Sequence, residues 1–198
     1  MIREELNDFF ENKNINFMEG GMFDVPEQFD LIYEIISSTS NNIENICEVG
    51  FHAGHSAALF LNTCTNAKVV SFDLGVYYYC DIGKQFIDDK FPNRHTLIKG
   101  DSKIEIPKQK FKYLFDVIFI DGGHDYDTCY NDFKNLIKKC HEDTIIIFDD
   151  VVKITDLQKE WNVHPTKVWC DALENNEITE ISNVIFKDGR GMAWGKIK

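Results

Sequence analysis

Two kinds of apolar pattern alternate along this chain: short runs that are apolar throughout, and longer stretches with apolar residues at helical spacing. In "PEQFDLIYEIIS", Phe29, Ile32, Tyr33, Ile35 and Ile36 share one helical face, and Pro26 stands at the start, where its missing N–H costs nothing. The runs "NICEV" (45–49), "KVVSFD" (68–73), "HTLIKG" (95–100), "FDVIFID" (115–121) and "TIIIFDD" (144–150) read as strands. The fourth of these is apolar on both faces, as a central parallel strand should be. Between them, "HSAALFLNTC" (55–64) predicts a helix apolar nearly all round, and another helix is expected within 78–90. Tyr126, Cys129, Tyr130, Phe133, Leu136, Ile137 and Cys140 follow helical spacing, with Asp125 and Asp127 at the positive end of that helix. "PTKVWCDALENN" (165–176) predicts a helix opened by Pro165. The last segment, "EITEISNVIFKDGRGMAWGKIK", reads as two strands around a Lys-Asp-Gly-Arg-Gly turn, an antiparallel hairpin. Alternation followed by a hairpin predicts an α/β fold: a doubly wound, mostly parallel, Rossmann-like sheet of seven strands, with a reversed strand at one edge.

The polar stretch "SSTSNN" (37–42) divides a short N-terminal part, residues 1–42, from a main domain of residues 43–198. Phe9, Phe10, Phe17, Met18, Met22 and Phe23 fit a helical lid or a dimer contact there, and core packing explains them equally well. A homo-oligomer is therefore one expectation. A formal charge of −12 argues against a nucleic-acid or anionic-membrane partner, either of which needs a Lys/Arg excess. No apolar run approaches a membrane span, and "MIREELNDFFENKN" lacks the apolar core of a signal peptide. The six cysteines (Cys47, Cys64, Cys80, Cys129, Cys140, Cys170) are scattered, with no C-x-x-C pair, which predicts free thiols and a reducing, cytoplasmic setting.

Chemistry enters at "ICEVGFHAGHS" (46–56). Ligands of doubly wound sheets sit beyond the carboxyl ends of the strands, where this loop falls. Gly50 and Gly54 allow a tight turn and a close approach, a helix N-terminus follows, and Asp73 ends the next strand in position to accept the hydroxyls of a ribose. NAD and S-adenosylmethionine both fit so far. The spacing is G-x-x-x-G rather than G-x-G-x-x-G, and Glu48 beside a pyrophosphate would repel it, whereas the amino group and sulfonium of S-adenosylmethionine would not. The loop thus favours S-adenosylmethionine.

Here "EVGFHAGHS", "VVSFD", "IKGDS", "DVIFIDGGHDYDTCYNDF" and "TIIIFDDV" together resemble the class I S-adenosylmethionine-dependent methyltransferases. The likeness is closest to the O-methyltransferase branch with catechol-type and antibiotic-sugar enzymes, methyltransferase family 24. It spans roughly residues 43–198, and "IDGGHDY" is its most specific part. It implies that Glu48, Gly50 and Gly54 line the methionine end with Ser56 nearby, that Asp73 holds the ribose, and that Asp101 and Ser102 lie near the adenine. It also implies a seventh strand inserted antiparallel.

Asp121 ends the fourth strand run and Asp149-Asp150 the fifth. Three carboxylates converging on one rim repel unless a cation sits among them or some bind protons, and oxygen-only ligation suits Mg²⁺ (or Mn²⁺ or Ca²⁺) over zinc. The plainer alternative is that they cap helices or solvate strand ends. By the resemblance, Asp121, Asp149 and Asp150 match the metal ligands of the metal-dependent members, and Asp121 also borders the cofactor and the reacting groups. Their bound cation would acidify a substrate hydroxyl that then attacks the methyl group in line. His124 stands where catechol-type relatives carry a lysine, which makes it the leading general base; helix capping is its other reading, as it is for Asp125. His52 and His55 are expected to brace the glycine loop or touch the cofactor, and His95 and His141 to have no role. Trp161, His164 and Trp169 would roof a substrate pocket or fill the core. The expected reaction is O-methylation of a small hydroxylated molecule, a sugar or a phenol. The rivals are an NAD-dependent oxidoreductase, which lacks a Tyr-x-x-x-Lys pair after the fourth strand, and a non-catalytic S-adenosylmethionine-binding module.

Overall fold

The computed structural model describes residues 2–15, 18, 25–39 and 42–198. Its strands form one seven-stranded sheet in the order β3-β2-β1-β4-β5-β7-β6, which is the α/β architecture expected. By compactness the chain divides into two units, Met1–Gly100 and Asp101–Lys198.

In the first unit, α1 (Ile2–Asn12) and α2 (Pro26–Ser37) precede β1 (Asn45–Val49), α3 (His55–Thr63), β2 (Lys68–Asp73), α4 (Tyr78–Lys90) and β3 (His95–Lys99). The strands are parallel, with Glu48 opposite Ser71 and Ser71 opposite Leu97. Helix α3 packs against both α1 and α2. Its burial on every side explains the nearly all-round apolar sequence. Helix α2 begins at Pro26 as the spacing predicts, and buries Phe29, Ile32, Ile35 and Ile36. Tyr33 does not join them: it is half exposed, and Gln28 takes a buried place on that face. Leu6 and Phe10 of α1 are buried and Phe9 and Met18 are half-buried, while Phe17, Met22 and Phe23 lie outside the described residues.

The second unit contains α5 (Ser102–Lys108), β4 (Phe115–Ile120), α6 (Tyr126–Leu136), β5 (Cys140–Asp149), α7 (Val163–Glu174), β6 (Ile178–Ile185) and β7 (Gly191–Ile197). Strand β4 is parallel to β5, and β7 is antiparallel to both β5 and β6. The reversed strand is thus one place in from the edge, as the family resemblance implies, and not at the edge itself. The hairpin closes through Lys187–Gly189. Helix α5, "SKIEIPK", makes about two turns with Pro107 inside it, too brief for its sequence to show a periodicity. Helix α6 ends at Leu136, earlier than the spacing suggests. Ile137 falls in a 3-10 turn and Cys140 already begins β5. All six cysteines are free, as expected. Among the described residues no helix is long and apolar enough to cross a membrane.

Candidate active site

The first unit builds a polar loop at the carboxyl ends of its strands. Gly50, His52 and Gly54 all take positive φ (96°, 51° and 89°), so the chain reverses sharply between β1 and α3. A Cβ on Gly54 would stand 2.8 Å from Cζ of Phe51, so the second glycine of G-x-x-x-G is required by both its backbone and its neighbour. The Asp73 carboxylate ties this turn to the next one: Oδ2 accepts from the His52 N–H at 2.8 Å and Oδ1 from the Gly75 N–H at 2.7 Å. Each oxygen keeps a lone pair beyond those bonds. His52 also meets the Tyr79 hydroxyl through Nε2 at 2.8 Å, and Tyr79 stacks on Tyr77. His55 is turned inward to Asn7 and Phe10 of α1, and burial pushes its pKa down to about 4. Both histidines therefore brace, as their setting in the loop suggests.

Glu48 has no solvent exposure. Its Oε2 accepts from Ser56 at 2.7 Å and its Oε1 from Ser71 at 2.5 Å, while Ser71 Oγ also lies 2.7 Å from Nε2 of His95. A chain of four polar side chains thus runs beneath the loop, and Phe51 stacks on the His95 ring at 5.0 Å. Sequence reasoning gave His95 no role; the one visible signal was Ser71, a polar residue inside an apolar strand. Burial pushes the Glu48 carboxyl up from 4.5 to about 7, against the two serine bonds, and Asp73 adds to the rise. His95 is pushed down by burial to about 3 and stays neutral, with the charge of Lys84 acting in the same sense and that of Asp88 against it.

A raised carboxyl pKa has a definite consequence for stability. Between 4.5 and about 7 the folded chain holds a proton that the unfolded chain has lost, so stability falls as pH rises through that window and levels off above it. Glu48→Gln removes the penalty. The variant is expected to melt higher than the wild type at pH 8, by up to roughly 3 kcal/mol at 1.36 kcal/mol per pKa unit, with no gain at pH 4.5. Melting curves at the two pH values check this, and a pH-independent difference would sink it.

The loop between β1 and α3 also depends on α4. A Cβ on Gly83 would come within 2.1 Å of the Ala53 carbonyl oxygen. Gly83→Ala is expected to destabilise the fold by about 1–3 kcal/mol through overpacking and to weaken donor binding with it. An unchanged melting temperature would show that the loop yields without cost.

In the second unit, Asp101 caps α5 by accepting from the Lys103 N–H at 2.9 Å. Ser102 faces Asp132, a fully buried acid whose carboxyl burial raises to about 7. Asp125 caps α6 through the Thr128 N–H, and this hydrogen bond holds its pKa low, so capping is the role the structure assigns it. Trp169 is core, its indole N–H donating to Glu180, and His164 is exposed.

Three residues converge after β4 and β5. One ligand atom from each of Asp121, His124 and Asp150 lies within 4.8 Å of the others. His124 Nε2 is 3.1 Å from Asp150 Oδ2. That hydrogen bond is the main cause of the raised His124 pKa; the charges of Asp150 and Asp149 add to it, and burial and Arg190 oppose it. Asp150 has φ +59° and is buried, and its Oδ1 has no hydrogen-bond partner. Asp149 lines the same small cleft, yet its carboxylate is not in the trio. It is still part of β5, opposite Met192, whereas the left-handed turn at Asp150 redirects the next side chain. Among the described residues, the atoms that converge are thus those of two of the three expected aspartates and His124, with Asp149 lining the cleft beside them.

Residues 47–151 match the family Methyltransf_24, a methyltransferase domain. No curated protein matches the chain. Among solved structures, the O-methyltransferase from Bacillus cereus in complex with SAH is similar with a TM-score of 0.76 at 19% identity, over 100% of this chain and 90% of that one. The O-methyltransferase TomG from Streptomyces achromogenes, involved in tomaymycin synthesis and solved with SAM, gives 0.76 at 11% identity, over 100% and 89%. The N-methyltransferase NodS from Bradyrhizobium japonicum gives 0.65 at 16%, over 87% and 95%. Identities this low speak for the fold alone, and the acceptor atoms named in them differ. The family match covers more than half of the residues: the chain belongs to the Methyltransf_24 family of methyltransferase domains.

Proposed function

We propose that the protein moves the methyl group of S-adenosylmethionine to a hydroxyl of a small molecule, a sugar or a phenol, with a divalent cation assisting. The observation that carries this reading is the Asp121–His124–Asp150 cluster, in which the buried Oδ1 of Asp150 lacks any partner. A buried carboxylate oxygen left unpaired is costly, and a cation or an acceptor hydroxyl satisfies it. The donor set fits a hard cation: Asp121 and Asp150 would hold Mg²⁺ through oxygen, with Asp149 beside them in the cleft. Bound there, the cation would supply Lewis acidity that lowers the pKa of the acceptor hydroxyl.

The chain's own groups do the rest. Asp73 presents its remaining lone pairs to the ribose hydroxyls, Gly50 and Gly54 let the backbone approach the methionine end, and Ser56 is held in place by Glu48. Asp101 and Ser102 are assigned to the adenine. His124 takes the hydroxyl proton on the nitrogen that does not face Asp150, and Asp150 stabilises the imidazolium that results. The oxygen forms its bond to the methyl carbon as the carbon–sulfur bond breaks, and neutral S-adenosylhomocysteine leaves. Its membership of a methyltransferase family sets the oxidoreductase alternative aside. Methyl transfer from labelled S-adenosylmethionine to hydroxylated acceptors, run with Mg²⁺ and with a chelator, tests the proposal. O-methyl products that vanish with the chelator are expected. Methylation only at nitrogen would overturn the acceptor assignment, and full activity in the chelator would overturn the metal.

A further inference from the structure

The hairpin turn between β6 and β7 brings a cation to the edge of the Asp121–His124–Asp150 cluster. Arg190 stands between two glycines that press on the segment following Asp150. A Cβ on Gly189 would meet the Leu157 carbonyl oxygen at 2.8 Å, and one on Gly191 would meet that of Val151 at 2.3 Å. Two hydrogen bonds pin the turn there: the buried Asn162 amide donates to Gly189 O at 2.6 Å, and Val151 N–H donates to Gly191 O at 3.1 Å. The position of Arg190 relative to Asp150 is thereby set by backbone packing.

Its side chain lies against Trp161, with Cζ 5.7 Å from the ring centroid, and Trp161 lies 6.4 Å, centroid to centroid, from His124. Arg94 spends its guanidinium on the main-chain carbonyls of Ala67 and Cys64; that of Arg190 has no ion pair or hydrogen bond among the described residues. In a chain of net charge −12, with acidic residues outnumbering basic ones 33 to 21, a half-buried arginine without a carboxylate is an unusual local reversal of sign. A guanidinium held over an indole still has N–H groups to offer a planar or tetrahedral oxyanion.

From this juxtaposition we infer that Arg190, backed by Trp161, selects acceptors that carry an anionic group, a carboxylate or a phosphate, in addition to the hydroxyl that is methylated. The inference rests on the reading of the cluster as the acceptor site and names the acceptor's class. It explains why this turn is so tightly built: two glycines and a buried asparagine keep the anion's anchor at a constant distance from the groups that handle the hydroxyl.

The test needs no turnover. Protein saturated with S-adenosylhomocysteine is titrated in a calorimeter with catechol, 3,4-dihydroxybenzoate and phenyl phosphate. At least one anion is expected to bind about tenfold or more tightly than catechol, a gain of about 1.4 kcal/mol, and the stronger of the two identifies carboxylate or phosphate. Arg190→Gln should bring both anions to the level of catechol, and Arg190→Lys should keep part of the preference. S-adenosylhomocysteine affinity reports whether each variant is folded; should Arg190→Gln fail that control, Arg190→Lys decides by a reduced or an unchanged preference. Anions that bind wild type no better than catechol, or a preference that survives the loss of Arg190, would overturn the inference. Failure of the O-methylation reading looks different: anions would still bind through Arg190 while no hydroxyl acceptor is methylated.

Discussion

Asp73→Ala is expected to lower the affinity for S-adenosylmethionine by about a hundredfold, because two hydrogen bonds from hydroxyls to a carboxylate contribute about 3 kcal/mol together. The same change frees the N–H groups of His52 and Gly75, which Asp73 now holds at 2.8 and 2.7 Å, so the turn before α3 and the turn after β2 lose their common anchor. Asp73→Asn, which keeps one acceptor, should retain more of both properties. Calorimetric titration with S-adenosylmethionine and with S-adenosylhomocysteine separates the effects. Ribose recognition predicts equal losses for both ligands, since they share the ribose. An undiminished affinity in the alanine variant would remove Asp73 from the donor site.

Loss of Asp150 should be felt in the chemical step and not in donor binding. Asp150→Asn is the better probe than alanine, because the residue sits at φ +59°, a conformation that asparagine tolerates and that costs alanine about 1–2 kcal/mol. Its methyl-transfer rate with Mg²⁺ is expected to fall about a hundredfold or more, since Lewis-acid assistance supplies several kcal/mol and each 1.36 kcal/mol is tenfold in rate. The small remaining activity should no longer respond to a chelator, and the dissociation constant for S-adenosylhomocysteine should stay at its wild-type value. Asp149→Asn, which alters a carboxylate outside the trio, should have the smaller effect. Equal effects of the two variants would mean that Asp149 turns into the cluster when the cation arrives.

Which features a reader of the sequence can find, and which not, follows from the range of the interactions involved. β1 and β2 begin and end where their apolar runs do, since buried parallel strands are apolar on both faces and stop at the polar rim. Asp73, Asp121 and the pair Asp149-Asp150 stand out for the same reason: they are the acids that end such runs. The early end of α6 was hidden because Ile137 and Cys140 continue the helical spacing although the chain has already changed course. The four-membered polar chain under the loop was invisible for another reason. Glu48 and Ser71 are 23 residues apart and Ser71 and His95 are 24 apart, so only the strand register brings them into line. Arg190 and Trp161 likewise meet through a turn whose packing depends on the absence of side chains at Gly189 and Gly191.

The placement of β7 between β5 and β6 bears on how the protein is made. On a ribosome, β6 emerges before the strand that joins it to β5, so a nascent chain that stops short of Gly191 exposes two unpaired edges at once. One of those edges belongs to the strand that ends in Asp149. Stalled or prematurely terminated products of this gene should therefore be prone to edge-to-edge association and be early targets for chaperones.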